Sequence, residues 1–67
     1  MKVHYQKDLA ILSEMGELIP AKAIIETKAI YINDRLSQKA KLATLQKAAR
    51  KAAKHPPKAG QLHYMPL

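Results

Sequence analysis

The chain has 67 residues, of which 12 are Lys or Arg and five are Asp or Glu, for a formal net charge of +7. It has no Cys, Trp or Phe, which excludes a disulfide framework and a Cys-ligated zinc site. No window approaches the ~20 consecutive apolar residues that span a bilayer, and the length allows one small domain.

Residues 1–5, MKVHY, read as a frayed end or one short extended piece. They lack the apolar run and small-residue cleavage site of a signal peptide. The expectation is a cytoplasmic or nucleoid-associated protein that is not secreted. Val3-His4-Tyr5 is echoed by Leu62-His63-Tyr64. Two such pieces pairing as a lone ribbon would be marginal in water, and chance is the simpler account of a three-residue match.

Residues 6–15 read as a short helix. Tyr5, Leu9 and Leu12 recur at i, i+4, i+7, and Ile11 and Met15 at i, i+4. Asp8 would sit in its first turn, where negative charge suits the helix dipole. Gly16 fits a left-handed residue just past the helix end. Pro20 then fits the first position of a second helix, so 16–20 reads as a tight turn.

Residues 20–54 dominate the reading. No Gly or Pro interrupts them after Pro20, and nine Ala lie between 21 and 53. As one helix they would extend roughly 50 Å. His55-Pro56-Pro57 ends the run, because proline has no donor and pushes its predecessor out of helical geometry. The phase changes midway. Ile25, Ala29, Ile32, Leu36, Ala40 and Ala43 form a stripe that becomes Lys47, Arg50 and Lys54, while Leu42, Leu45, Ala49 and Ala52 or Ala53 lie on another line. Either one helix bends near 33–37, or the helix breaks there and Ser37 caps a third. With no Gly or Pro to force a break, one rod is the favoured reading.

Residues 56–67 contain Pro56, Pro57, Gly60 and Pro66 and read as an irregular tail. Leu62, Tyr64, Met65 and Leu67 give it the means to dock on the helices. The fold expected is therefore all-α: a helical domain over 1–55 and a Pro-containing tail over 56–67.

One short helix is too little to cover the apolar residues around a long rod. Ile24, Ile25, Ile30, Tyr31, Leu42 and Leu45 are the surplus, which predicts a homo-oligomer or a larger protein partner.

The charge is segregated. Residues 1–34 hold four Lys against all five acids; residues 35–67 hold no acid and eight cations, Arg35, Lys39, Lys41, Lys47, Arg50, Lys51, Lys54 and Lys58. A division this complete points to an anionic partner for the second half. In the stretch KAARKAAKHPPKA, over 47–59, Ala pairs keep the helix thin while cations line one side. Lys offers a flexible point charge and Arg50 a planar fork. The composition of these thirteen residues is similar to the Lys-Ala-Pro tails of linker-histone-like and bacterial histone-like proteins. The expected function is binding of DNA or structured RNA, chiefly through phosphates. Five engaged cations would give a salt slope of about −4 to −5.

Little in the chain suggests catalysis. His4, His55 and His63 are not spaced as a helical metal pair, and would meet on a zinc ion only if the chain ends converge. Glu14 and Glu17 read as solvating carboxylates at a helix end. With Gly16 and Gly60 the only glycines, there is no phosphate loop. The reading is a non-enzyme without metal, cofactor or small-molecule substrate. The alternative is a protein-interaction module: a small accessory subunit or phage-type inhibitor docking on a larger nucleic-acid-processing protein or a ribosome. Membrane-surface binding ranks last, because 38–54 carries no aromatic anchor.

Overall fold

The middle of the chain forms strands where a helix is expected. The computed structural model describes residues 1–67 and has five strands and one helix, in the order β1 (Lys2–Gln6), β2 (Ala10–Leu12), β3 (Leu18–Ile25), β4 (Ala29–Asn33), α1 (Gln38–Lys54) and β5 (His63–Pro66). The all-α reading is therefore wrong. Ile24-Ile25 and Ile30-Tyr31-Ile32 are short β-branched and aromatic runs, which fit a pleated sheet better than a helix. The three residues between β3 and β4, Glu26-Thr27-Lys28, make a turn closed by the Glu26 N–H donating to the Ala29 carbonyl at 2.8 Å.

The five strands form one mixed sheet. β3 lies at its centre and pairs antiparallel with β4 on one edge and with β5 on the other. β1 pairs parallel with β4, from Lys2 opposite Ala29 to Gln6 opposite Asn33. The chain then turns at Asp8, a non-glycine residue at φ 57°, and β2 pairs antiparallel with the outer half of β3. Asp is among the few residue types that tolerate this left-handed conformation.

The expected helix 6–15 is thus the end of β1, the Asp8 turn and β2. Gly16 does adopt positive φ (81°), but in a β-hairpin turn rather than past a helix end. The Gly16 N–H donates to the Ser13 carbonyl at 3.0 Å, and the Ser13 N–H donates to the Glu17 carbonyl at 2.8 Å. Pro20 belongs to β3, opposite Ala10, instead of starting a helix.

Only the second half of the expected rod is helical. Ser37 caps α1, its hydroxyl accepting from the Ala40 N–H at 3.2 Å. The break weighed at 33–37 is real, and it needs neither Gly nor Pro because Asn33 is held in the sheet. The Asn33 side chain is buried; its Nδ2 donates to the Ala21 carbonyl and its Oδ1 accepts from the Arg35 N–H. The helix ends at His55, whose N–H donates to the Lys51 carbonyl, just before Pro56 and the buried Pro57.

The helix covers one face of the sheet over β3 and β4. Ala23, Ile25, Ile30 and Ile32 meet Ala48 there, and Leu36, Leu45, Ala52 and Met65 close the margins. Ala48 and Ala23 have no exposed surface, and such small residues let the helix lie close to the sheet. The opposite face holds a smaller cluster of Leu9, Ala21 and Ile24 flanked by Ile11 and Tyr31. An irregularity in the β3–β5 register between Ala21 and Ala23 brings Ala21 to this face beside Ile24. The Cα trace is only 16 Å in its shortest dimension, which is room for one sheet and one helical layer.

The C-terminal segment is not wholly irregular, since it supplies β5. The echoed triplets Val3-His4-Tyr5 and Leu62-His63-Tyr64 both lie in or beside strands. They do not pair with each other: β1 and β5 stand on opposite sides of the β4–β3 pair.

Candidate nucleic-acid interface

The inner side of α1 is set by Thr44 and Ala48, both buried, with Lys41, Leu45 and Ala52 half-buried beside them. At 100° per residue, Lys39, Lys47, Arg50 and Lys54 fall together on the opposite side, within an arc about 80° wide. All four are exposed. From Lys39 to Lys54 the helix rises about 22 Å. Ala43 lies in the middle of this arc and adds no bulk. Lys51 is exposed at the margin, and Lys58 follows in the connection to β5.

Ion pairing sorts the eight expected contact residues. Arg35 and Lys41 are engaged within the molecule. Arg35 grips Asp8 with both ends of its fork, Nε to Oδ1 at 2.6 Å and Nη2 to Oδ2 at 3.2 Å. The Arg35 hydrogen bond, aided by its charge, holds the Asp8 carboxyl below its ordinary value and raises the guanidinium in return. Lys41 pairs with Asp34 and lies 5.8 Å from the centre of the Tyr5 ring. Its hydrogen bond lowers the Asp34 carboxyl against an opposing effect of burial. These two are the only ion pairs in the molecule. Lys39, Lys47, Arg50, Lys51, Lys54 and Lys58 therefore have no acidic partner.

The residues expected at a protein interface separate by face. Ile25 and Ile30 are buried beneath α1, and Leu45 packs against the same core. Ile24 and Tyr31 lie on the helix-free face of the sheet, Ile24 buried and Tyr31 half-buried. Leu42 remains 59% exposed on the helix.

Sequence reasoning missed an aligned row on that helix-free face. His4, Tyr31, Ile24 and Tyr64 share one register line across β1, β4, β3 and β5. The His4 and Tyr31 rings stack with centroids 5.1 Å apart and planes 21° from parallel. The period-two alternation of Lys2, His4 and Gln6 with Val3 and Tyr5 was the available signal for β1.

The three histidines do not meet. His4 lies in β1, whereas the His63 Nε2 donates to the His55 carbonyl at 3.0 Å, tying β5 to the helix end. No three His, Asp or Glu side chains converge as a metal-ligand set. An open hollow of about 360 Å³ lies between Leu9, Leu18, Pro20 and Leu67, with the Asp8–Arg35 pair at its rim. It contains no nucleophile beside a base. No helix is long and apolar enough to cross a membrane. No protein-family model, curated protein or solved structure matches the chain.

Proposed function

We propose that the chain binds nucleic acid through the outward face of α1, chiefly by phosphate contacts. One observation carries the reading: four exposed cations without acidic partners, Lys39, Lys47, Arg50 and Lys54, share one helical arc in a half of the chain that contains no acid. Lysines held apart from carboxylates keep their full charge for a polyanion, and releasing condensed counterions from the nucleic acid drives the association. The thin Ala-rich helix suits close approach to a phosphate backbone. Base readout has little to rest on, because Arg50 is the only fork on the arc and no aromatic side chain accompanies it. The same surface belongs to a folded α/β unit, so the sheet serves as the scaffold that fixes α1 and turns its charge outward.

The test is anisotropy of labelled duplex and single-stranded oligonucleotides with two variants. Replacing Lys39, Lys47, Arg50 and Lys54 together by Gln abolishes binding while leaving circular dichroism unchanged, because none of the four touches the core. Replacing Arg35 and Lys41 by Gln costs far less affinity, since both are already paired with carboxylates. Equal losses from the two variants, or no binding by the native chain at low salt, would refute the reading. Capture of an acidic protein that persists after nuclease treatment would move it to the protein-interaction alternative.

A further inference from the structure

We infer that two copies of the chain associate through the free edge of β1, as antiparallel strands centred on His4. In the parallel ladder with β4, the Lys2 N–H donates to the Lys28 carbonyl at 3.1 Å, and the Gln6 carbonyl accepts from the Asp34 N–H at 3.0 Å. Alternate residues of a strand bond to the same neighbour. Lys2, His4 and Gln6 therefore turn their backbone groups toward β4, whereas Val3 and Tyr5 turn theirs away. The N–H and C=O groups of Val3 and Tyr5 form an unpaired edge, and all five residues of β1 are exposed.

The other strand ends of the sheet are less available. β5 has four residues and includes Pro66, a residue that blunts an edge because it has no donor. β2 has only three residues. β1 contains neither proline nor acid, and its only charged residue is Lys2 at one end.

The strand is complementary to itself. With His4 opposite His4 of the second copy, Val3 faces Tyr5 and Lys2 faces Gln6, so no like charges of lysine or carboxylate are opposed. The outward backbone groups of Val3 and Tyr5 then meet as hydrogen-bonded pairs, which satisfies all four in each copy. Val3 and Tyr5 project on the helix side of the sheet, where the backbone of α1 lies over β3 and β4 and the Lys41 side chain reaches across to 5.8 Å from the Tyr5 ring centre. They remain 40% and 52% exposed. Facing each other across the new pair, they make a β-branched–aromatic contact of the kind that stabilises sheets. The paired sheets place both helices on one side, separated by four strand spacings or about 19 Å. The dimer stands on the edge geometry alone and does not depend on nucleic-acid binding.

A contact of this size is below that of a standard stable interface, so the equilibrium is expected to shift from monomer to dimer between about 10 µM and 1 mM. Sedimentation equilibrium of the nucleic-acid-free protein measures it. Val3→Pro removes an outward N–H without touching the ladder to β4, and it weakens self-association at least ~10-fold by deleting two hydrogen bonds per dimer. In the native chain, the Val3 and Tyr5 amides exchange more slowly as concentration rises. A native chain that is monomeric at ~1 mM, a dimer indifferent to Val3→Pro, or Val3 and Tyr5 amides whose exchange ignores concentration would each overturn the inference. Should Val3→Pro disrupt folding, amide exchange in the native chain decides alone.

Discussion

Ile25→Ala probes the helix–sheet core most sharply. Ile25 has no exposed surface and lies among Ala23, Ile30, Ile32 and Ala48. The substitution removes three carbons, worth ~2.4 kcal/mol of transfer free energy at about 0.8 kcal/mol each. Because Ala48 and Ala23 are too short to fill the void, a cavity term adds to this, for a total of about 3–4 kcal/mol. A domain of 67 residues has a total stability of about 3–10 kcal/mol. The variant therefore loses much of its margin. Urea unfolding followed by circular dichroism reads the loss as a fall in midpoint of about 3 M, taking a slope near 1 kcal/mol/M for a protein this small. Ile25→Val should give about a third of that effect. A shift of less than about 0.5 M for Ile25→Ala would show that this side chain is not interior, and the layered packing described above would be wrong.

Three further expectations follow from local geometry. Ser37→Ala removes the hydroxyl that accepts the Ala40 N–H, and should cost about 1 kcal/mol in the same urea assay with no change in the sheet's amide protection. Gly16→Ala meets no atom within 4 Å, so its cost of roughly 1–2 kcal/mol comes from the left-handed backbone alone and should vanish with a D-alanine at that position. Asp34 and Asp8 titrate below the ordinary carboxylate range because Lys41 and Arg35 hydrogen-bond their ionised forms. Their stabilisation is complete above the titration of the unfolded chain and is lost as pH falls through the lower, folded values, so thermal stability should decline below about pH 4. Asp34→Asn should flatten that decline; an unchanged profile would remove the Lys41–Asp34 pair from the account.

What could be read from residues 38–54 was read: an Ala- and Lys-rich run ended by His55-Pro56-Pro57. The error over 20–36 has a physical origin. Ile24, Ile25, Ile30 and Ile32 are all buried, because the sheet is covered by α1 on one face and by Leu9 and its neighbours on the other. A strand buried on both faces loses its period-two alternation, and a short apolar run then resembles a helical segment. Gly16 carried a correct turn signal, which fits a hairpin as well as it fits a pair of helices, whereas Pro20 lies within β3 and marks no turn. Ser37 was visible as a cap, but its weight depended on Asn33 being fixed in a sheet the sequence did not announce. At the candidate interface, the charge asymmetry was legible as a linear pattern. The engagement of Arg35 by Asp8 was not, since the two are 27 residues apart and meet only through the turn from β1 into β2. The stacked His4 and Tyr31 belong to the same class, being neighbours only through strand pairing.

The central claim, that the outward arc of α1 grips phosphates, is tested most directly by the salt dependence of duplex DNA binding. Four engaged cations predict a slope of log K against log salt of about −3.6, or a loss of about 150-fold between 50 and 200 mM. Lys47→Gln with Lys54→Gln should halve the slope to about −1.8. A native slope shallower than about −1, or one that the double substitution leaves unchanged, would contradict the claim.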